Sequence, residues 1–419
     1  MTTINQLLAK ISEIAGEKQV EVYPVGGFVR DCLLKIESKD IDFVVIGDGI
    51  SFAKKLAKRL NGKNLTVFKT FGTAHFSVND FELEFVAARK ESYRHNSRKP
   101  IVEKTDLQTD LSRRDFTINA MAMHIDENRF GRLIDPFSGQ SDLNHKLVRT
   151  PLDPEIAFND DPLRILRAIR FAARYGFKID TITFKSMQSH VPRLEIVSVE
   201  RISDELKQIL EGQRSDLAMQ LLADSGIIRF LLPELEAEIK ILIRFFADPD
   251  NQALSFQDKL AVAFAVNGVK NKQLKQISLR MRFSNEITRF IGTFIQHFRQ
   301  SKRLLLDQFK TTDIKHFLYS AEESYNQLLR LTSLWLKSQG QDNHLTDVEK
   351  RIAKINQNSE FSQFKLALNG HQIAESLAVN GRQIGKVKEH LTELVLNEKL
   401  ENDANELSEY LRSHKLEFK

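Results

Sequence analysis

The chain has 419 residues, which is too long for one ordinary hydrophobic core and predicts two to four domains. Its 42% hydrophobic and 28% charged residues are typical of a soluble globular protein, and no apolar run reaches the 18 residues of a membrane span. The single cysteine, Cys32, excludes an internal disulfide and a thiolate metal cluster. Together with a first segment that lacks a signal-peptide core, this predicts a cytoplasmic protein. The net charge of +5 is compatible with an RNA partner but does not by itself indicate one.

The first part of the chain alternates helix and strand patterns. Apolar residues at helical spacing predict helices over residues 4–15 and 51–60. Strands are predicted over residues 20–25, 41–46, 65–69, 74–78 and 81–86. These elements predict a small mixed sheet with helices on one side.

Two glycines follow the first strand, and two aspartates open the second. Gly26 and Gly27 precede a predicted helix over residues 28–34, so the backbone can approach a phosphate closely while amides point at it. Asp40 and Asp42 are two residues apart in a strand and therefore share one face. Neighbouring carboxylates repel each other unless a divalent cation neutralises them, and oxygen ligands suit Mg²⁺. The pattern predicts metal-assisted phosphoryl chemistry.

The stretch Gly-Gly-Phe-Val-Arg-Asp from Gly26, followed by Asp-Ile-Asp from Asp40, resembles a known signature. It is that of the nucleotidyltransferase superfamily that includes DNA polymerase beta, in the form found in class II CCA-adding enzymes and bacterial poly(A) polymerases. The resemblance implies that Asp40 and Asp42 are catalytic and hold two Mg²⁺ ions. It also implies that Gly26, Gly27 and Arg30 bind the nucleotide.

The strand that follows the hairpin turn at Asn79-Asp80 carries two further carboxylates. Glu82 and Glu84 alternate with apolar residues and lie opposite the phenylalanines of the strand. Glu84 matches the third carboxylate of polymerase-like sites. A solvated strand face explains both glutamates equally well.

Residues 89–100 are polar and basic and show no periodicity, which predicts a mobile loop. In the family that the chain resembles, enzymes that also add the terminal A carry a flexible loop here. Enzymes restricted to CC addition have a shortened one. The length of this loop therefore favours an enzyme that adds A.

A second motif, Arg-Arg-Asp-Phe-Thr-Ile-Asn-Ala-Met-Ala, begins at Arg113. Arginine can clamp phosphates, and aspartate can accept a hydrogen bond from a ribose hydroxyl. The whole string matches the second motif of the class II family, which implies that Arg114 and Asp115 bind the nucleotide.

Residues 162–176 predict an amphipathic helix with Pro162 in its first turn and Gly176 at its end. Arginines three or four residues apart line one side, which in most helices is a solvated face. Asp161 lies where its carboxylate can pair with Arg164. A carboxylate and a guanidinium together match the amino donor and ring-nitrogen acceptor that cytosine and adenine share, whereas uracil and guanine leave the carboxylate facing a carbonyl.

Asp160-Asp161-x-x-Arg164 resembles the Glu-Asp-x-x-Arg motif that serves class II enzymes as an amino-acid template for the base. The resemblance implies that Asp161 and Arg164 select the base and that Arg167 and Arg170 hold the nucleotide. Asp160 stands where the family has glutamate, which puts the fine positioning of the template in doubt.

Glu-Arg-x-x-x-Glu, which ends at Glu205, matches the fifth motif of the family. Glu205 is four residues after Arg201, which brings the two together on a helix. We expect this motif to brace the template helix.

The expected fold is α+β, with a polymerase-beta-like head that has a small mixed sheet, followed by an all-α neck, body and tail. The predicted domains are the head over residues 1–150, the neck over 151–215, the body over 216–345 and the tail over 346–419. The tail resembles the domain that grips tRNA in this family, although an ordinary helix pair is nearly as good an interpretation. None of the 11 histidines precedes an aspartate, so no metal-dependent phosphohydrolase activity is expected.

The function expected from the resemblance is template-independent addition of C, C and A to the tRNA 3′ end, with CTP and ATP as substrates and Mg²⁺ as cofactor. No membrane and no obligatory protein partner are expected. A poly(A) polymerase or an enzyme restricted to A addition is the alternative within the same class. A catalytically silent RNA-binding protein is the alternative from another class.

Overall fold

The computed structural model describes residues 3–69, 72–94, 97–307, 309–357, 363–377, 379 and 381–414. The chain divides into two compact units, one that ends at Ile239 and one that begins at Lys240. The predicted domain boundaries at residues 150, 215 and 345 stay predictions.

The first unit is built around a mixed sheet. Its strands, together with four that lie outside this sheet, are β1 Glu21–Val25, β2 Asp40–Ile46, β3 Lys63–Phe68, β4 Thr73–Val78, β5 Phe81–Ala87, β6 Arg89–Arg94, β7 Ser97–Lys104, β8 Ala122–Met123, β9 Leu133–Ile134, β10 Leu147–Val148 and β11 Lys178–Ile179. Seven strands pair in the order β3-β4-β5-β2-β1-β8-β9. The β2–β5 pair is parallel and the other pairs of this sheet are antiparallel, which confirms the predicted mixed sheet.

Two helices cover one face of this sheet, α1 Ile4–Glu17 and α3 Gly49–Arg59, with α2 Gly27–Leu34 between them in the chain. Leu7, Ile11 and Leu56 pack from α1 and α3 against Phe43 and Phe85 of the sheet. The rings of Phe43 and Phe85 stack with their centroids 4.7 Å apart. This packing leaves the side chains at alternate positions of β2 and β5 on the opposite face.

The composition of the polar stretch after β5 predicts a loop without regular structure. The structure instead has two paired strands there. β6 and β7 form an antiparallel hairpin with Arg89 opposite Lys104. His95 and Asn96, at the centre of the predicted loop, lie outside the described residues. The prediction was wrong because backbone hydrogen bonds pair the two strands. Such bonds form without an alternation of apolar and polar side chains.

The rest of the first unit is mainly helical. Its helices are α4 Leu107–Ser112, α5 Gly139–Asn144, α6 Pro154–Asp160, α7 Leu163–Tyr175, α8 Thr181–His190, α9 Val199–Leu210, α10 Ser215–Asp224 and α11 Ile227–Leu231. In α7 the buried positions include Ile165, Leu166 and Ile169, as the sequence predicts, and Gly176 ends the helix with φ of 66°. β10 and β11 pair in parallel and so join residues on both sides of the predicted boundary at 150.

From Ile239 onward the described chain is helical. The helices are α12 Ile239–Ala247, α13 Pro249–Gln252, α14 Phe256–Val266, α15 Asn271–Met281, α16 Asn285–Leu306, α17 Thr311–Ala321, α18 Tyr325–Ser338, α19 Leu345–Asn356, α20 Gly370–Leu377, α21 Arg382–Leu396 and α22 Ala404–Ser413. The last three share a core that includes Ile373, Leu391 and Leu407. Within the described ranges, no helix combines the length and the apolar character that crossing a membrane requires.

Candidate active site

The exposed positions of β2 carry the two predicted metal ligands. Asp40 and Asp42 are exposed while Ile41 between them is buried, so both carboxylates lie on one face. The parallel register sets Glu82 opposite Asp40 and Glu84 opposite Asp42. Four carboxylates from two neighbouring strands therefore share this face.

Two carboxylates of this face, those of Asp42 and Glu84, have raised pKa values. Burial by the surrounding protein raises the pKa of Asp42, the positive charge of Arg114 opposes this, and the charge of Asp40 adds to it. Burial also raises the pKa of Glu84, with a further contribution from Asp42. Such a set fits a divalent cation, which would relieve the repulsion.

No cage of three or more His, Cys, Asp or Glu side chains converges among the described residues. The candidate cation site therefore depends on Asp40 and Asp42. A contribution from Glu84 as a third ligand stays a prediction.

The Gly26-Gly27 turn lies directly beside this face. Gly26 has φ of 70° and ψ of −132°, a conformation that side chains oppose. A Cβ atom at Gly26 would lie 2.8 Å from Arg114 Nη1 and 3.8 Å from Asp42 Oδ2. Gly26 therefore lets Arg114 approach the backbone beside β2.

Arg113 and Arg114 are held by a buried carboxylate that the sequence analysis missed. Arg113 Nη2 donates to Asp110 Oδ1 over 2.6 Å, and Arg114 Nη2 donates to Asp110 Oδ2 over 3.2 Å. Burial alone would raise the pKa of Asp110, but the two guanidinium groups more than offset this, so its pKa lies below the ordinary value. The three-residue and four-residue spacing of Asp110 from the two arginines was the signal for this contact.

Arg114 keeps one donor without a protein acceptor. Its Nε is buried and has no hydrogen-bond partner in the part of the chain that the structure describes. A buried N–H group without a partner is costly. Arg114 Nε is therefore placed to donate a hydrogen bond to a ligand oxygen beside β2.

Asp115 has its own partners within the protein. Its Oδ2 accepts from Arg167 Nη2 over 2.6 Å, and its Oδ1 accepts from Asn119 Nδ2 over 2.9 Å. Burial would raise the pKa of Asp115, but Arg167 and Asn119 reverse this and lower it to about 2. The contact with a ribose hydroxyl that the resemblance implies would have to be shared with Arg167.

Arg167 and Arg170 of α7 both contact α9, the helix that carries the fifth motif. Glu205 Oε2 lies 2.8 Å from Arg170 Nε, and Glu205 Oε1 lies 3.6 Å from Arg167 Nη1. The predicted bracing by α9 is confirmed. Arg201 contributes differently from the expected pairing with Glu205, because its Nη2 lies 3.6 Å from Asp161 Oδ2.

Replacement of Asp115 by asparagine should make the protein less stable at neutral pH. The pKa of Asp115 falls from 3.8 to about 2 on folding, so its contribution is present above about pH 4 and is lost as the pH falls towards 2. We expect a loss of about 2 kcal/mol at pH 7 that shrinks at pH 3, measured by urea unfolding. Asp204→Asn on the exposed side of α9 is the matched control. An equal difference between Asp115→Asn and the wild type at both pH values would contradict this assignment.

The predicted base-selecting residues lie at the start of α7. Asp161 Oδ1 accepts from the amide of Leu163, the first residue of α7, over 3.2 Å. Arg164 Nη2 donates to the backbone oxygen of Arg113. The hydrogen bonds found for these two side chains go to other groups, and a direct pairing between them stays a prediction.

A cavity of about 170 Å³ opens beside this helix start. Its lining combines guanidinium groups, one carboxylate and two exposed apolar side chains. The residues that matter here are Arg113, Arg114, Arg164, Asp160, Leu152 and Ile156. The lining offers charge for phosphates and apolar surface for a base.

The structure brings the two halves of the predicted site together through one dipeptide. Arg114 Nη1 lies beside Gly26, which also borders Asp42, while the backbone oxygen of Arg113 accepts from Arg164 Nη2. Arg30 is different, because its guanidinium is buried and is bound to Asp31 and Asn119. The Arg113-Arg114 dipeptide therefore lies between β2 and the start of α7.

Two family models match parts of the chain. Residues 22–149 match the family described as "Poly A polymerase head domain". Residues 176–239 match the one described as "Probable RNA and SrmB- binding site of polymerase A".

Two curated relatives each match part of the chain. An A-adding tRNA nucleotidyltransferase of Aquifex aeolicus is 40% identical over 230 residues, which are 54% of this chain and 28% of the relative. The chain thus spans little more than a quarter of the length of that protein. A CCA-adding enzyme of Geobacillus sp. is 32% identical over 280 residues, which are 64% of this chain and 67% of the relative.

The likeness extends over the whole described fold. A solved structure of a CCA-adding enzyme in its apo form II has a TM-score of 0.71 and 26% identity, and it covers 98% of this chain and 95% of its own. The motifs, the fold and the match to the Geobacillus enzyme agree with one another. The chain therefore belongs to the poly(A) polymerase and tRNA nucleotidyltransferase family.

Proposed function

We propose that the chain is a CCA-adding tRNA nucleotidyltransferase, which joins C, C and A to the tRNA 3′ end from CTP and ATP and releases pyrophosphate. The observation that carries the proposal is the Arg113-Arg114 dipeptide, in which Arg114 lies beside Gly26 and the Asp42 face while the Arg113 backbone oxygen binds Arg164 at the start of α7. Catalytic and base-selecting groups of one chain then act on the same bound nucleotide. No nucleic-acid template is needed for such a choice.

Mg²⁺ is the cofactor we assign to the Asp40 and Asp42 face. Two adjacent carboxylates on one face of a strand suit a hard cation that prefers oxygen. When bound, such ions lower the pKa of the attacking hydroxyl and neutralise charge on the departing pyrophosphate. The protein's part is to hold both carboxylates ionised on a rigid strand.

Each of the remaining site residues would bind a different part of the nucleotide. The Gly26-Gly27 turn and Arg114, with its unpartnered Nε, suit the triphosphate and sugar. Asp161 accepts from the amino group of cytosine or adenine, and Arg164 donates to the ring nitrogen. Arg167 and Arg170 support this pair by way of Asp115 and Glu205.

The last helices supply a basic surface that suits the body of a tRNA. Arg382, Lys386 and Lys388 are exposed near the start of α21, and Gly381 before it has φ of 44°. Exposed cations of this kind bind a phosphate backbone without regard to sequence. Asn380, next to this turn, lies outside the described residues.

An enzyme restricted to A addition is the second candidate. It is favoured by the 40% identity to the A-adding enzyme of Aquifex aeolicus, which is limited to 54% of this chain. The correspondence with a CCA-adding enzyme along 98% of the chain supports CCA addition instead.

The decisive assay offers the purified protein a tRNA that ends before CCA, with CTP, ATP or both. We expect exactly two C residues from CTP alone and one further A when ATP is present, resolved at single-nucleotide length. A product formed only from tRNA ending in CC, with ATP, would identify an A-adding enzyme. A long A ladder would identify a poly(A) polymerase, and no incorporation with retained tRNA binding would identify an RNA-binding protein.

Removal of Arg114 should move the acidic limb of the pH–activity profile. Burial raises the pKa of Asp42, and Arg114 opposes that rise, so Arg114→Ala lets the pKa rise further. Because the cation site needs an ionised carboxylate, activity should be lost at a higher pH than in the wild type.

The matched variant is Arg114→Lys, which keeps the positive charge and should leave the limb near its wild-type position. The measurement is kcat/KM for CTP between about pH 5 and 8. An unchanged limb in Arg114→Ala, whatever the overall loss of activity, would contradict the electrostatic role of Arg114.

A further inference from the structure

The guanidinium group of Arg30 is buried and contacts protein groups. Its Nη1 donates to Asn119 Oδ1 over 2.5 Å, and its Nε donates to Asp31 Oδ1 over 2.9 Å. The rings of Tyr175 and Phe171 lie with their centroids 5.0 Å and 5.4 Å from the guanidinium carbon. Only 6% of the side chain is exposed, so contact with a triphosphate is not its simplest role.

Asn119 connects this arginine to the base-selecting helix. Its Oδ1 accepts from Arg30, while its Nδ2 donates to Asp115 Oδ1, whose partner oxygen binds Arg167 of α7. A group between a guanidinium and a carboxylate must accept on one side and donate on the other. A side-chain amide does both at once, whereas a carboxylate or a methyl group cannot.

The two ends of this connection lie next to the two parts of the proposed site, the Asp42 face and the start of α7. Arg30 lies in α2, where its amide donates to the Gly26 oxygen over 3.2 Å, and Gly26 borders Asp42. Arg167 lies one helical turn after Arg164 on the same side of α7. Buried polar networks of this kind hold one geometry because each member has few alternative partners.

We propose that Arg30 and Asn119 are positioning residues that set the distance between the metal-binding face and the base-selecting start of α7. This rests on the proposed function. Their role is to align the α-phosphate with the carboxylates only when the correct base is seated. Loss of the connection should lower selectivity for the base as well as the rate.

The test compares two isosteric variants of one short helical turn, Thr117–Asn119. Asn119→Asp removes the donor to Asp115 and keeps the acceptor for Arg30. Thr117→Val removes the hydrogen bond from Thr117 Oγ1 to Asp142 Oδ2 (2.7 Å), which is equally buried but outside the connection. Both should lower the melting temperature, so stability alone does not distinguish them.

The readouts that separate them are kcat, KM for tRNA and the ratio of kcat/KM for CTP to that for UTP. We expect Asn119→Asp to lower kcat and this ratio at least about tenfold with KM for tRNA unchanged, as misalignment in a preorganised site predicts. Thr117→Val should keep the wild-type ratio. If Asn119→Asp does not fold, Arg30→Lys, which keeps the charge but loses the fork, should lower the ratio in the same way.

Equal ratios in Asn119→Asp and Thr117→Val, or in Arg30→Lys and the wild type, would overturn the inference while leaving the proposed function intact. A wild-type protein that incorporates neither CTP nor ATP would instead refute the proposed function. The two failures are therefore distinguishable in one set of assays.

Discussion

Replacement of Asp42 by alanine is expected to reduce nucleotide incorporation on the order of a thousandfold while tRNA affinity stays within about twofold of the wild type. Asp42 lies on the exposed face of β2 with Asp40, opposite Glu84 and close to Arg114. Removal of its carboxylate leaves the cation with one fewer ligand at the point where charge develops. Asp40→Ala should behave in the same way.

The matched control is Glu82→Gln on the neighbouring strand. Glu82 shares the face and lies opposite Asp40, but its carboxylate is engaged 3.0 Å from His75 Nε2. The activity of Glu82→Gln should stay within a few fold of the wild type. The measurement is single-turnover incorporation from CTP, with tRNA affinity determined separately by filter binding. Comparable losses in Asp42→Ala and Glu82→Gln would mean that general negative charge, and no specific ligand, is what the reaction needs.

Replacement of Asp161 by asparagine is expected to admit UTP. The carboxylate of Asp161 can only accept, so it suits the amino group of cytosine and faces the carbonyl of uracil unpaired. An amide can donate to that carbonyl, and Arg164 can donate to the second carbonyl of uracil, because the ring N3–H of uracil is itself a donor. We expect the preference for CTP over UTP to fall about ten- to a hundredfold, in line with about 1–3 kcal/mol for one mispaired base edge.

Asp204→Asn on the exposed side of α9 controls for the loss of one charge and should keep the wild-type preference. The assay is competition between CTP and UTP on a tRNA that ends before CCA. An Asp161→Asn protein that is slower but keeps full preference for CTP would place base selection elsewhere. Since Asp161 also accepts a hydrogen bond from the first amide of α7, the helix content of Asp161→Asn is checked by circular dichroism.

Local patterns were sufficient to predict the parts of the fold that depend on alternation. The alternating residues of β2 and β5 correctly predict which side chains face the core and which carry carboxylates. Their parallel pairing, which sets Glu84 opposite Asp42, depends on strand order and cannot be read from either strand alone. The strands β8 and β9, each of two residues, are too short to show any period.

The partners of charged side chains were the least predictable feature. Arg30 belongs to a motif associated with nucleotide binding, yet it is buried against Tyr175 and Asn119, 145 and 89 positions along the chain. Asp115 and Arg167 each match a family position that binds the nucleotide, but in the structure they bind each other. Sequence spacing indicates contacts within one helix, whereas these pairs form only when the chain has folded.

A crystal structure of the protein with CTP and Mn²⁺ in place of Mg²⁺ tests the central claim most directly. The account predicts anomalous density for the metal at Asp40 and Asp42, with the cytosine edge against Asp161 and Arg164 in the same chain. Metal at the two aspartates with the base seated away from α7, or a nucleotide bound without contact to either carboxylate, would contradict it.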